Sequence, residues 1–118
     1  MTRRTDRIGD AIQELVARLL LREIKDPRIG LVTITAARVS PDLRHARVFF
    51  SSLGDATARE QSLRGLRSAA GFVRSQVARQ LNLRVAPEIV FEFDPSLEQA
   101  ERLSRLLKDD PRPPEDES

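Results

Sequence analysis

Leu66-Arg67-Ser68-Ala69-Ala70-Gly71-Phe72-Val73-Arg74 lies at the centre of a helical segment and carries a glycine where a helix gains nothing from one. Around it, residues 57–81 place Leu63, Leu66, Ala69, Ala70, Val73, Val77 and Leu81 at spacings of one, three and four, the period of an amphipathic helix. Glycine costs a helix interior roughly 1 kcal/mol relative to alanine. Gly71 therefore implies a kink or a close packing contact, or a backbone kept bare for a partner; these readings are compatible. On either side of the segment the period falls to two. Residues 45–52 put Ala46, Val48 and Phe50 on one face and Arg47 and Phe49 on the other, and residues 85–93 set Ile89, Phe91 and Phe93 against Val90 and Glu92. A helix joining two strands in this way is a crossover, expected to be right-handed, which makes the second and third strands parallel. Pro87 lacks a backbone donor and belongs at a strand's start or on a sheet edge.

Working towards the N-terminus, residues 31–39 form a strand rich in β-branched side chains, with Val32, Ile34 and Ala36 alternating and a phase shift near Ala37 that suggests a bulge. Ser40-Pro41-Asp42-Leu43 supplies turn chemistry, so strands one and two form an antiparallel hairpin. Residues 4–26 read as a first helix, with one stripe made by Ile8, Ile12, Leu15, Val16, Leu19, Leu20 and Ile24, stopped by Asp26-Pro27. Towards the C-terminus, Asn82 caps the central helix. Residues 96–108 form a third helix with Leu97, Ala100, Leu103, Leu106 and Leu107 on one side. The order is α-β-β-α-β-α, an α+β fold with helices covering one face of a three-stranded mixed sheet. Sequential strand order is favoured, and an order with strand three beside strand one stays open.

The composition bounds the function. The 118 residues suit one domain, residues 1–108, followed by an acidic tail, residues 109–118, expected to be disordered because it has no apolar residue to bury. That tail holds five of the 18 acidic residues and one of the 20 basic ones, leaving 19 basic against 13 acidic, +6, on the body. A basic body suits a polyanion partner. Eighteen of the basic residues are arginine, whose planar fork matches phosphate and stacks on bases. There is no cysteine and a single histidine, His45, which argues against disulfides and a metal site. No apolar run reaches the roughly 18 residues of a membrane span, and no signal-peptide core follows Met1, so a cytoplasmic protein is expected.

With these segments in place, the chain resembles the bacterial ribosome-binding factor A family. Its element order, apart from the last helix, is that of type II KH-like RNA-binding domains. An ordinary KH domain clamps nucleotides with a Gly-x-x-Gly loop, which this sequence lacks. The family carries instead an Ala-x-Gly kink between two helical halves, matched here by Ala69-Ala70-Gly71. Asp26-Pro27-Arg28-Ile29-Gly30, Val32-Thr33-Ile34-Thr35, Val39 to Phe49, Arg84 to Phe91 and Asp94-Pro95-Ser96-Leu97 match in order, so the resemblance spans about residues 3–107. His45 stands where an aromatic tyrosine is expected, and the acidic tail is not a family feature. The resemblance implies binding to the free small (30S) ribosomal subunit and its 16S rRNA, with a role in late maturation that includes the 16S 5′ end, particularly in the cold, and departure before translation.

Candidate rRNA contacts are Arg3, Arg4 and Arg7, whose positive charge the N-terminal end of a helix disfavours, then Arg44 and Arg47 around the hairpin, and Arg67, Ser68 and Arg74 flanking the kink. For Arg47 a solvated sheet face is an equally good reading, and Phe49 is the one aromatic expected to be exposed. Asp42, Glu88, Glu92 and Asp94 form no acid–base pair with a nucleophile, and no phosphate-binding glycine loop is present, so no catalysis, cofactor or small-molecule substrate is expected. The protein is expected to act as a monomer. A protein–protein adaptor docking its basic face on an acidic partner is the alternative, and a small nuclease ranks third.

Overall fold

The computed structural model describes residues 3–108 and contains α1 (Arg3–Arg22), β1 (Val32–Val39), β2 (His45–Ser52), α2 (Ala56–Gln80), β3 (Glu88–Phe93) and α3 (Ser96–Lys108). The expected tail, residues 109–118, lies outside the described residues. The sheet order is β1-β2-β3, with β1 and β2 antiparallel and β2 and β3 parallel. This settles the order the sequence left open and gives the α+β, KH-like arrangement.

Alternation decides which side chains enter the core. Ile34 and Val39 of β1, Ala46, Val48 and Phe50 of β2, and Ile89 and Phe91 of β3 are buried under Ile12, Leu15, Val16 and Leu19 of α1 and Leu66, Val73 and Val77 of α2. Phe50 and Phe91 are among the largest fully buried side chains. Truncating either to alanine costs about 3–5 kcal/mol.

Two helix–sheet and helix–loop approaches are close enough to require glycine, and neither involves Gly71. A Cβ on Gly9 would stand 2.6 Å from the Ala37 carbonyl oxygen, where α1 lies on β1. A Cβ on Gly65 would stand 2.6 Å from Ile29 Cγ1. Residues 26–30 dock against this part of α2: the Gly30 amide donates to the buried Ser62 hydroxyl at 3.0 Å, and Arg28 Nη2 donates to Ser68 Oγ at 2.9 Å.

That docking explains why α1 ends at Arg22 rather than running to residue 26. The amides of Glu23 and Ile24 converge on one acceptor, the Leu19 carbonyl, both at 2.8 Å, and the chain unwinds towards α2. Asp26 Oδ1 then accepts from the Arg28 amide at 2.9 Å, a local turn that competes with helix. The bulge falls between Ile34 and Ala36, slightly earlier than the expected shift near Ala37. Thr35 is the extra residue, and its hydroxyl donates to Asp94 Oδ2 at 2.7 Å. Strand β3 begins at Glu88 rather than residue 85, because parallel pairing starts with His45 opposite Glu88, just past Pro87.

Two further expectations are modified. The central segment is one helix of 25 residues, with helical hydrogen bonding continuous through Gly71 rather than divided into two halves; the buried Leu66, Val73 and Val77 on either side hold it down. The apolar stripe of α3 is not buried. Leu97, Leu103, Leu106 and Leu107 are all at least half exposed, and the helix is tethered to the body through its first turns, where Ser96 N donates to Asp94 Oδ1 at 2.9 Å and Arg59 reaches Glu98 at 3.4 Å.

Candidate nucleic-acid interface

Helix α2 carries the first part of the site. Arg64, Arg67, Gly71 and Arg74 follow one another at spacings of three, four and three, so they share one face, and all four are exposed. Around Gly71 nothing lies within 4 Å of the position a Cβ would take. The glycine is therefore unexplained by packing inside the chain and leaves bare helix backbone between Arg67 and Arg74. Phe72, beside it, is 40% exposed. Arg67 has no partner among the described residues. Arg64 meets Glu60 at 3.3 Å with both side chains about two-thirds exposed, a pairing of little strength. Ser68 lies off this face and is engaged by Arg28. Ala69 and Ala70 are half-buried, as the sheet-facing flank of the glycine.

The topology gathers the second part. Strands β2 and β3 run parallel, so their starts lie together. The hairpin brings the end of β1 to the same place, where Thr5, Asp6 and Asp10 of α1 meet Ala37, Arg38 and Val39. The end of α2 arrives there too, since residues 81–87 lead into β3. Arg74 Nε donates to the Ala86 carbonyl at 3.2 Å, and the Glu88 amide donates to the Arg44 carbonyl at 2.8 Å, so Arg74 and Arg44 flank the entry to β3. Arg3, Arg4 and Arg7 border a depression closed by Leu81, Asn82 and Leu83. The side chains of Arg3, Arg4, Arg7 and Arg44 are exposed and have no partner among the described residues. One end of the domain thus carries most of the sequence candidates, with Arg74 joining them to the α2 face.

Residue-by-residue reading of the sequence had not singled out Arg38, Arg64, Arg79 or Arg84. Arg38, Arg79 and Arg84 are exposed at this same end without side-chain partners among the described residues. Their signal was topological: Arg38 lies at the end of β1, Arg79 at the end of α2 and Arg84 in the connection to β3, and the fold brings all three to this pole.

Arg47 is placed differently. It lies on the open face of the sheet, where Nε and Nη2 donate to the two Glu92 oxygens at 2.7 and 2.8 Å, and its guanidinium carbon stands 5.0 Å from the centre of the half-buried Phe49 ring. The pairing raises the Arg47 pKa above its ordinary value and lowers that of Glu92. Each carboxylate oxygen thus accepts one hydrogen bond from the Nε–Nη2 edge of the fork, and the Nη1 edge of Arg47 stays exposed. His45, at the start of β2, has Nδ1 3.0 Å from Glu88 Oε1 on the surface. Among the described residues no group of three or more histidines and acids is placed to hold a metal ion, and no helix is long and apolar enough to cross a membrane.

The family model for ribosome-binding factor A matches residues 4–107. The chain belongs to that family. Ribosome-binding factor A of Geobacter metallireducens is 46% identical over 109 residues, covering 92% of each chain. The crystal structure of ribosome-binding factor A from Thermus thermophilus superimposes with a TM-score of 0.64 at 24% identity, over 75% of this chain and 93% of that one, and so shares the fold. A homology model of Thermus thermophilus ribosome-binding factor A, as fitted into the cryo-EM map of its complex with the 30S subunit, matches with a TM-score of 0.54 at 27% identity, over 72% of this chain and 93% of that one.

Proposed function

We propose that this member of the family binds the free small ribosomal subunit by laying the Arg67–Gly71–Arg74 face of α2, and the arginine-rich end beside it, against 16S rRNA. The observation that carries the reading is the open space over Gly71 between two exposed arginines. An RNA backbone can approach bare helix there while guanidinium groups on both sides reach phosphates. Phosphate contacts supply affinity and rRNA shape supplies specificity. The Thermus thermophilus family member seen with the 30S subunit supports the choice of partner.

The role is non-catalytic and cytoplasmic. By occupying its site as a monomer the protein holds an rRNA segment in place while neighbouring parts fold. It thereby assists late maturation, including that of the 16S 5′ end, and leaves before translation. The +6 body gives the long-range attraction.

Co-sedimentation with purified free small subunits and with whole ribosomes tests this reading. Wild-type protein is expected to pellet with free subunits and not with whole ribosomes, and reversal of Arg3, Arg4 and Arg7 to glutamate is expected to weaken the association sharply. Binding that persists after the rRNA is digested by nuclease, and that ignores the reversal, would instead identify a protein adaptor.

A further inference from the structure

Beyond general attraction to phosphate, the arginine-rich end holds a depression of about 540 Å³ between the start of α1 and the end of α2. Arg3, Arg4 and Arg7 form its exposed rim, while Ile8, Leu81 and Leu83, each partly buried against the core, form an apolar floor. Asn82 stands between the two leucines in the left-handed conformation, φ 57°, directly after the last turn of α2. Its backbone amide is used, donating to the Arg79 carbonyl at 3.3 Å, but its side-chain amide has no partner among the described residues. We infer that this depression is a subsite for one extruded nucleotide of single-stranded RNA.

The chemistry of the lining selects that ligand. Three guanidinium forks on one rim match phosphate oxygens and can also lie flat against a base. A base has two apolar faces and a hydrogen-bonding edge. An apolar floor with a free carboxamide, one donor group beside one acceptor, complements both features. A peptide made only of acidic residues would satisfy the arginines but place no apolar face on Ile8, Leu81 and Leu83. The volume lies within the roughly 300–1,000 Å³ typical of small-ligand pockets. A residue committed to the left-handed region can present its side chain without the helix covering it, which fits asparagine better than most residues.

The inference rests on the proposed RNA-binding reading, and the test separates the two. The full chain is titrated against a short fluorescent oligoadenylate and against the same strand with abasic sites, so that phosphate number is constant. Wild-type protein is expected to bind the abasic strand at least about fivefold more weakly. Asn82→Gly keeps the left-handed backbone and removes the amide; it should lower affinity for the oligoadenylate and leave the abasic strand unchanged. Arg7→Ala should lower both. Equal wild-type affinity for the two strands, with subunit binding intact, overturns the subsite alone, as does full discrimination in Asn82→Gly. Failure to bind either strand or the small subunit overturns the RNA-binding reading and the subsite together.

Discussion

Arg47 and Glu92 clasp each other across the parallel β2–β3 pair with two hydrogen bonds of 2.7 and 2.8 Å on the uncovered face of the sheet. With its Nε–Nη2 edge committed to a carboxylate, Arg47 has fewer donors to offer a phosphate than the unpaired arginines, and the pair links β2 to β3. Arg47→Gln is therefore expected to lower thermal stability and leave small-subunit affinity close to wild type. A double-mutant cycle with Glu92→Gln should show the two losses to be less than additive. Thermal unfolding and co-sedimentation of the same four proteins check both parts.

Two glycines in helices should respond to alanine in opposite directions. At Gly9 the new Cβ would meet the Ala37 carbonyl oxygen at 2.6 Å, and a backbone atom cannot swing aside. Gly9→Ala is expected to destabilise by about 1–3 kcal/mol. At Gly71 the Cβ enters open space, so Gly71→Ala should stabilise by up to about 1 kcal/mol through helix propensity. The same variant should bind small subunits more weakly, because the methyl group fills the approach between Arg67 and Arg74. Urea unfolding gives the first comparison and subunit binding the second. A stabilised Gly71→Ala with undiminished binding would remove the bare backbone from the account.

Asp26 anchors the docked loop, and its titration should be visible in acid. The Arg28 hydrogen bonds hold its carboxyl at about 2, below the ordinary 3.8. A group with a depressed folded-state pKa binds fewer protons when folded than when unfolded. Its contribution to stability is thus fully present above about pH 4 and is lost as pH falls through about 2. Asp26→Asn should lower the urea midpoint at neutral pH, and the difference from wild type should shrink as pH falls from 4 towards 2. A difference independent of pH would show that the ion pair with Arg28 contributes nothing.

Much of this architecture could be read from periodicity, because the core is built from strict alternation in β2 and β3 and from stripes in α1 and α2. Limits arose where tertiary contacts override local pattern. Nothing in Leu21 to Lys25 announces that the helix stops at Arg22; that depends on Ser62 receiving Gly30, 32 positions away, and on Gly65 receiving Ile29. The stripe of α3 is as regular as that of α1, yet Leu103 and Leu106 remain in solvent, since periodicity reports a face and not what covers it. Gly71 was conspicuous in sequence while Gly9 and Gly65 were not, although packing constrains only the latter two. For the candidate site, Arg67 and Arg74 were legible beside their glycine. The partnership of Arg47 with Glu92 was hidden because it depends on the β2–β3 register, and Arg38, Arg79 and Arg84 were hidden because only the strand order brings their elements to one end.

The salt dependence of binding to purified free small subunits, measured for wild type and for Arg67→Gln/Arg74→Gln, bears most directly on the α2 face as the rRNA contact. Each phosphate contact contributes roughly 0.7–0.9 to the slope of log affinity against log salt. Loss of two contacts should make the slope shallower by about 1.4–1.8, together with weaker binding at low salt. A slope identical to that of wild type would mean that these two arginines point at no phosphate in the complex, and that the subunit meets another surface.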